Sequence, residues 1–93
     1  TLSAQQVQND LALKKIQALL QQSKLPYQDI VLEGNIMMGY FENHQLVGCG
    51  GLELYGPYAL LRSVAVDANQ RGKQFGQHIV DDLLNRAQAQ GIQ

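Results

Sequence analysis
The apolar positions change period along the chain, and each change marks an element. Residues 1–8 set Leu2, Ala4 and Val7 among polar neighbours, which predicts a short first strand. From Asp10 onward Leu11, Ala12, Ile16, Leu19 and Leu20 recur at helical intervals among Lys14, Lys15, Gln17, Gln21 and Gln22. That spacing predicts an amphipathic helix with Asn9 as its N-cap. Pro26 disfavours helical geometry in the residue before it, so the helix stops by Leu25, and a short turn around Tyr27 follows. Residues 36–42 are apolar and aromatic, Asn43-His44 is a two-residue turn signal, and residues 45–55 form a second extended run. Together they predict a β-hairpin. Gly56-Pro57 punctuates, and residues 58–66 carry the branched side chains of a buried strand, antiparallel to its predecessor.

Gly48, Gly50 and Gly51 stand inside the second hairpin strand, where glycine weakens pairing and marks a bulge or a close backbone approach. After Val66 the polar, glycine-bearing stretch 67–76 feeds into a last helix. There Phe75, Ile79, Val80, Leu83, Leu84 and Ala87 share one face, and Gln77, Asp81, Asp82, Asn85 and Arg86 the other. Gly91 is placed to end it as the C′ residue. The predicted order is (β)-α-β-β-β-α, an α+β fold with a mainly antiparallel sheet and flanking helices.

Composition narrows the class. Ninety-three residues, 45% apolar and 16% charged, make one globular domain spanning residues 1–93. A domain this small buries only about 60% of its unfolded surface, so its stability is expected to be thin. Seven Lys+Arg against eight Asp+Glu give a net charge of -1, too little positive field to hold a nucleic-acid backbone. The one cysteine, Cys49, forms no internal disulfide, and no charged region followed by an apolar stretch opens the chain, so a cytoplasmic location is expected. Apolar runs are far shorter than the ~20 residues needed to cross a bilayer. Two histidines and one cysteine show no metal-ligand spacing.

The chemistry concentrates in the loop before the last helix. A helix N-terminus offers unpaired N–H groups and a partial positive charge, and Arg71 and Lys73 add two cations. Gly72 and Gly76 let a bulky anion approach the backbone, and no acidic residue occurs from Ala68 to His78. A phosphate-bearing ligand fits this pattern. The nucleoside-triphosphate loop is excluded because Gly72-Lys73 is followed by Gln74 and the required first glycine is Asp67. The dinucleotide fingerprint is excluded because only Gly72 and Gly76 are present. A merely solvated turn is the plain alternative.

The run LRSVAVDANQRGKQFGQHIV, residues 61–80, resembles motif A of the GNAT superfamily of N-acetyltransferases, with the pattern [QR]-x-x-G-x-[GA]. Residues 45–53, QLVGCGGLE, are similar to that family's second and third strands, and Asn9-Asp10-Leu11 onward resembles its first helix. The phrasing around Cys49-Gly50-Gly51-Leu52 and residues 60–66 is further similar to members associated with arsenic-resistance operons. The resemblance implies acetyl-CoA as cofactor. Val64 and Val66 match strand positions whose backbone groups pair with the pantetheine arm. Arg71, Gly72, Lys73, Gln74, Phe75 and Gly76 match the loop whose amides hold the pyrophosphate. Arg71 fills the [QR] position and Gly76 the last one, whereas the middle glycine is replaced by Gln74, whose side chain either points away from the phosphates or crowds them.

The resemblance also implies further strands, an acceptor-binding half and a tyrosine acid beyond the motif A helix. The chain is therefore expected to be truncated after that helix, with the strand 58–66 left as an open edge that invites a homodimer. Glu53 is the candidate general base, drawing a proton from an amine directly or through water, and a solvated strand-end carboxylate is its plainer reading. Ser63 and Tyr55 are hydroxyls of a kind that more often satisfies backbone groups. The implied activity is acetyl transfer from acetyl-CoA to a primary amine of a small molecule. The alternative is a truncated, catalytically incompetent module that binds CoA or self-associates.

Overall fold
A computed structural model describes residues 2–92. Thr1, where the expected first strand begins, and Gln93 lie outside the described residues. The first strand, β1, is Ser3–Gln6, and the first helix, α1, is Asp10–Gln22. Strands β2 (Ile36–Glu42), β3 (Gln45–Tyr55) and β4 (Tyr58–Val66) follow, and helix α2 is Phe75–Ala89. The strands make one antiparallel sheet in sequence order, β1-β2-β3-β4, which leaves β4 at an edge.

Both hairpins turn where the sequence predicts. Asn43 and His44 adopt φ of 52° and 68°, the paired left-handed conformation that a two-residue loop needs to match strand twist. The second loop is Gly56-Pro57, flanked by the paired Tyr55 and Tyr58. Strand alternation then divides the core into two layers. Met37, Cys49 and Ala65 pack with Ile16, Leu19 and Leu20 of α1 on one face. Met38, Tyr40 and Leu52 pack with Ile79, Leu83 and Ala87 of α2 on the other.

The inward stripe of α2 is narrower than the sequence suggests. Ile79, Leu83 and Ala87 are buried, whereas Val80 is half-buried and Leu84 is 52% exposed. Leu11 of α1, also counted among the apolar positions, faces outward. The sheet covers only the central stripe of each helix, so apolar positions at its margins meet solvent.

The glycines of β3 bring α2 onto the sheet. A methyl group on Gly48 would lie 2.6 Å from Ile79 Cδ1 and 2.9 Å from the Ala65 carbonyl oxygen. On Gly50 it would lie 2.6 Å from Leu83 Cδ1. The helix is pinned sideways as well. The buried Tyr40 hydroxyl donates to Asp82 Oδ2 at 2.6 Å, and Arg86 Nε donates to the same oxygen at 2.7 Å. Gly91 closes α2 with φ of 82°, its N–H donating to Gln88 O and that of Ile92 to Ala87 O, both at 3.0 Å. This is the paired bonding of a Schellman end, and Ile92 packs into the α2 layer as that motif's apolar contact.

Candidate functional site
The two helices begin in opposite ways. At α1, Asn9 Oδ1 accepts from the Ala12 N–H at 2.8 Å and Asp10 adds a carboxylate to the first turn. At α2, the capping position is Gln74, whose side chain makes no capping bond, and the first turn holds no acidic residue. His78 N–H is the first to find a carbonyl, Gln74 O at 3.3 Å. The N–H groups of Phe75, Gly76 and Gln77 have no acceptor among the described residues. They remain directed at whatever occupies the space ahead of the helix.

The approach to this end is built locally. Asp67 Oδ1 accepts from Asn69 N–H at 2.8 Å and starts a single 3-10 turn, Ala68–Gln70, which lifts the chain off β4. Gly72 (φ 84°) and Gln74 (φ 63°, ψ 22°) then take left-handed conformations that swing the chain into α2. Gln74 therefore takes a conformation that glycine adopts at little steric cost, with its side chain exposed. The left-handed region crowds Cβ against the backbone, which is a physical reason for glycine at that position.

A cleft of about 630 Å³ opens in front of this helix end. It gathers Val64, Val66, Arg71, Gly72, Gln74, Phe75 and Gly76 of the predicted set. Arg71 makes no side-chain hydrogen bond or ion pair among the described residues, so its charge is available to an anion. Lys73 does not line the cleft; its ammonium donates to Gln70 Oε1 at 2.9 Å and lies 6.0 Å from the centre of the Phe75 ring. Ser23 and Leu25 also line the cleft, although nothing in the sequence marks them as site residues. They reach it because α1 ends in a Schellman turn. Lys24 takes φ of 59°, with Lys24 N–H donating to Gln21 O at 3.0 Å and Leu25 N–H to Leu20 O at 2.9 Å.

The cleft borders the open edge of β4. Asp67 N–H donates to Val47 O at 2.8 Å, so by strand alternation the main-chain groups of Val66 point away from β3. Farther along, the register shifts between Cys49 and Gly51, and Ser63 adopts φ of 60° in the bulge this creates. The Cys49 thiol donates to Ser63 O at 3.3 Å, and burial pushes its pKa up to about 12, which makes it a structural group rather than a nucleophile.

Glu53 does not line this cleft. It pairs with Leu60, four positions before Val64 and on the far side of the Ser63 bulge. Its Oε1 accepts from Arg62 Nη1 at 2.7 Å and its Oε2 from the Tyr55 hydroxyl at 2.9 Å. The Arg62 hydrogen bond, then that from Tyr55, holds the carboxyl below its ordinary range. Arg62 also reaches Asp29 at 3.4 Å, tying the segment after α1 to the sheet. No group of three or more metal-ligating side chains occurs among the described residues. None of the described helices is long and apolar enough to cross a membrane.

An uncapped helix end, an arginine without a side-chain partner among the described residues, and an edge strand thus meet at one cleft, an arrangement that suits an anionic ligand.

A family model described as the acetyltransferase (GNAT) family matches residues 5–93. No curated protein matches the sequence. Among solved structures the chain resembles glucosamine-6-phosphate N-acetyltransferase from Arabidopsis thaliana, with a TM-score of 0.72, 16% identity, and coverage of 99% of this chain and 78% of that one. It is also similar to an aminoglycoside 6'-N-acetyltransferase complexed with coenzyme A, with a TM-score of 0.79, 19% identity, and coverage of 98% and 57%. N-acetylglutamate synthase from Neisseria gonorrhoeae, complexed with coenzyme A and N-acetyl-glutamate, gives a TM-score of 0.80 at 17% identity; the match covers 99% of this chain and 24% of that one.

Proposed function
The chain belongs to the acetyltransferase (GNAT) family, and on that premise we propose that it transfers an acetyl group from acetyl-CoA to a primary amine of a small molecule. The observation that carries this reading is the convergence of the uncapped α2 N-terminus, Arg71 and the free edge of β4 on one cleft. Acetyl-CoA supplies the activated acyl group as a thioester. Phe75, Gly76 and Gln77 N–H groups and the Arg71 guanidinium hold its pyrophosphate, where charge and donors are already oriented. Gly72, Gln74 and Lys73 shape and charge the loop around it. Val64 and Val66 lie along the stretch that takes the pantetheine arm, and the Val66 main chain offers that arm strand-like hydrogen bonds.

Glu53 stands farther along the same strands, away from the anion-binding loop, and is the proton acceptor in this proposal. Its low pKa makes it a weak base, so it works best by fixing an incoming ammonium or through a bridging water. Release of free thiol from acetyl-CoA in the presence of a panel of small primary amines tests the reaction. Amine-dependent release that Glu53→Gln slows supports it. Cofactor binding without release for any amine overturns it.

A second reading has one observation in its favour. The edge strand β4 is unpaired among the described residues and presents Tyr58 and Leu60 to solvent at 69% and 52% exposure. Such an edge suits pairing with a second copy. This reading makes the chain a CoA-binding or self-associating module, and a sedimentation coefficient that rises with concentration distinguishes it from a monomeric enzyme.

A further inference from the structure
Ser23 holds a buried side-chain oxygen, Oγ, without a hydrogen-bond partner among the described residues. It is the capping residue at the C-terminal end of α1, where a serine hydroxyl ordinarily bonds a carbonyl of the preceding turn or water. Here the carbonyls of Leu19, Leu20 and Gln21 are taken by the N–H groups of Ser23, Lys24 and Leu25. The same residue lines the cleft, together with Val64, Ala65 and Val66 of β4. An unpaired buried hydroxyl is an unfavourable arrangement that native proteins usually resolve with a partner or explain by a function.

We propose that Ser23 is a ligand-positioning residue whose hydroxyl hydrogen-bonds the amide-bearing arm of the thioester cofactor. This rests on the CoA-binding reading given above and adds a residue from outside the loop and strand. The chemistry favours the arm over the phosphates. Ser23 carries no charge, it sits at the end of α1 rather than at the α2 N-terminus, and a secondary amide presents both a donor and an acceptor to a hydroxyl that can be either. Rotation about the Cα–Cβ bond moves the hydroxyl between staggered positions, so a ligand lying in the cleft can recruit it without backbone movement. The Lys24 turn is part of the device. Its left-handed conformation bends the chain directly after Ser23 and sets Ser23 and Leu25 side by side on the cleft wall.

The test compares Ser23→Ala and Ser23→Thr with the wild-type chain, using calorimetric titration of CoA and of adenosine diphosphate, which carries a pyrophosphate but no arm. Ser23→Ala is expected to weaken CoA about tenfold, equivalent to about 1.4 kcal/mol, and to leave adenosine diphosphate affinity unchanged. Ser23→Thr keeps the hydroxyl and retains CoA affinity. The melting temperature of free Ser23→Ala is expected to equal or exceed that of wild type, because the substitution removes an unpaired polar group. Wild-type binding of CoA that Ser23→Ala leaves intact overturns the role of Ser23 alone. Equal weakening of both ligands, or a lowered melting temperature with parallel loss of both, assigns Ser23 a structural role and also overturns it. Failure of the wild-type chain to bind CoA overturns the underlying reading together with this one.

Discussion

Asn9 and Gln74 occupy the same position ahead of the two helices, and only Asn9 closes its helix. Asn9 Oδ1 holds the Ala12 N–H at 2.8 Å, while Gln74 caps nothing and adopts φ of 63°. One helix end is satisfied by its own chain. The other leaves its donors and partial positive charge open to the cleft, beside an arginine with no side-chain partner among the described residues. The strain at Gln74 is local, since the turn it makes is what aims those donors into the cleft.

Gln74→Gly is therefore expected to stabilise the protein by about 0.5–1 kcal/mol, because glycine adopts the left-handed conformation without crowding Cβ, less some added freedom of the unfolded chain. Thermal unfolding checks this, with a rise in Tm of about 2–8 °C expected for a domain of this size. Gln74→Val, stiff and branched at Cβ, is expected to lower it.

The first two residues of the α2 contact predict an ordered pair of losses. Gly48→Ala drives a methyl group against the Ala65 carbonyl as well as Ile79, and a backbone carbonyl in a paired strand has little room to yield. A loss of about 2–3 kcal/mol is expected. Gly50→Ala meets the Cδ1 end of Leu83 and the Cγ2 branch of Ile79, side-chain groups that yield more readily than a backbone carbonyl, and costs about 1–2 kcal/mol. Urea unfolding of both variants reads the order, and equal losses would contradict the packing described.

Tyr40 and Asp82 give an alkaline prediction. Burial, then the hydrogen bond to Asp82, raises the Tyr40 pKa above its ordinary 10.0. A group whose folded pKa is raised contributes stability that is whole below its unfolded pKa and lost as pH climbs past it. Wild-type stability is thus expected to decline above pH 10, and Tyr40→Phe to lack that share of the decline. At neutral pH Tyr40→Phe costs about 1 kcal/mol, whereas Asp82→Ala, which strands the buried hydroxyl, costs about 2 kcal/mol. Stability measured by denaturant from neutral to alkaline pH reads both.

Glu53 predicts the opposite limb. Arg62 and Tyr55 lower its pKa from the ordinary 4.5, so its contribution is complete above that pH and disappears as pH falls through the folded value. Glu53→Gln should flatten the acid side of the stability curve without changing its shape above pH 6. Acid unfolding followed by circular dichroism checks it, and identical acid limbs would contradict the Arg62 pairing.

Much of this arrangement was legible in the sequence, because its signals are local. Asn43-His44 and Gly56-Pro57 sit between alternating runs, Asn9 precedes a helical repeat, and Gly91 follows one. The α+β order and the loop residues Arg71, Gly72 and Gly76 follow from such neighbours. What stayed hidden depends on distant packing. Ser23 and Leu25 join the cleft only because α1 lies across the sheet toward β4, and in sequence Pro26 reads simply as the end of a helix. The β3 glycines signalled a bulge or a close approach, but that the extra residue falls on β4 at Ser63 was hidden, because Ser63 carries no signal of its own. Asp82 stands on the polar face of its helix by spacing, yet that margin is where Tyr40 emerges from the sheet. The left-handed conformation of Gln74 was equally hidden, since residue identity alone does not specify it.

The central claim is that the cleft ahead of α2 binds the pyrophosphate of CoA through Arg71 and the free N–H groups of that helix. Calorimetric titration of CoA into the wild-type chain and into Arg71→Glu tests it most directly. Saturable binding by the wild type, weakened at least tenfold by the charge reversal while the fold is retained by circular dichroism, is the predicted result. No binding at millimolar CoA, or binding that Arg71→Glu leaves unchanged, would contradict it.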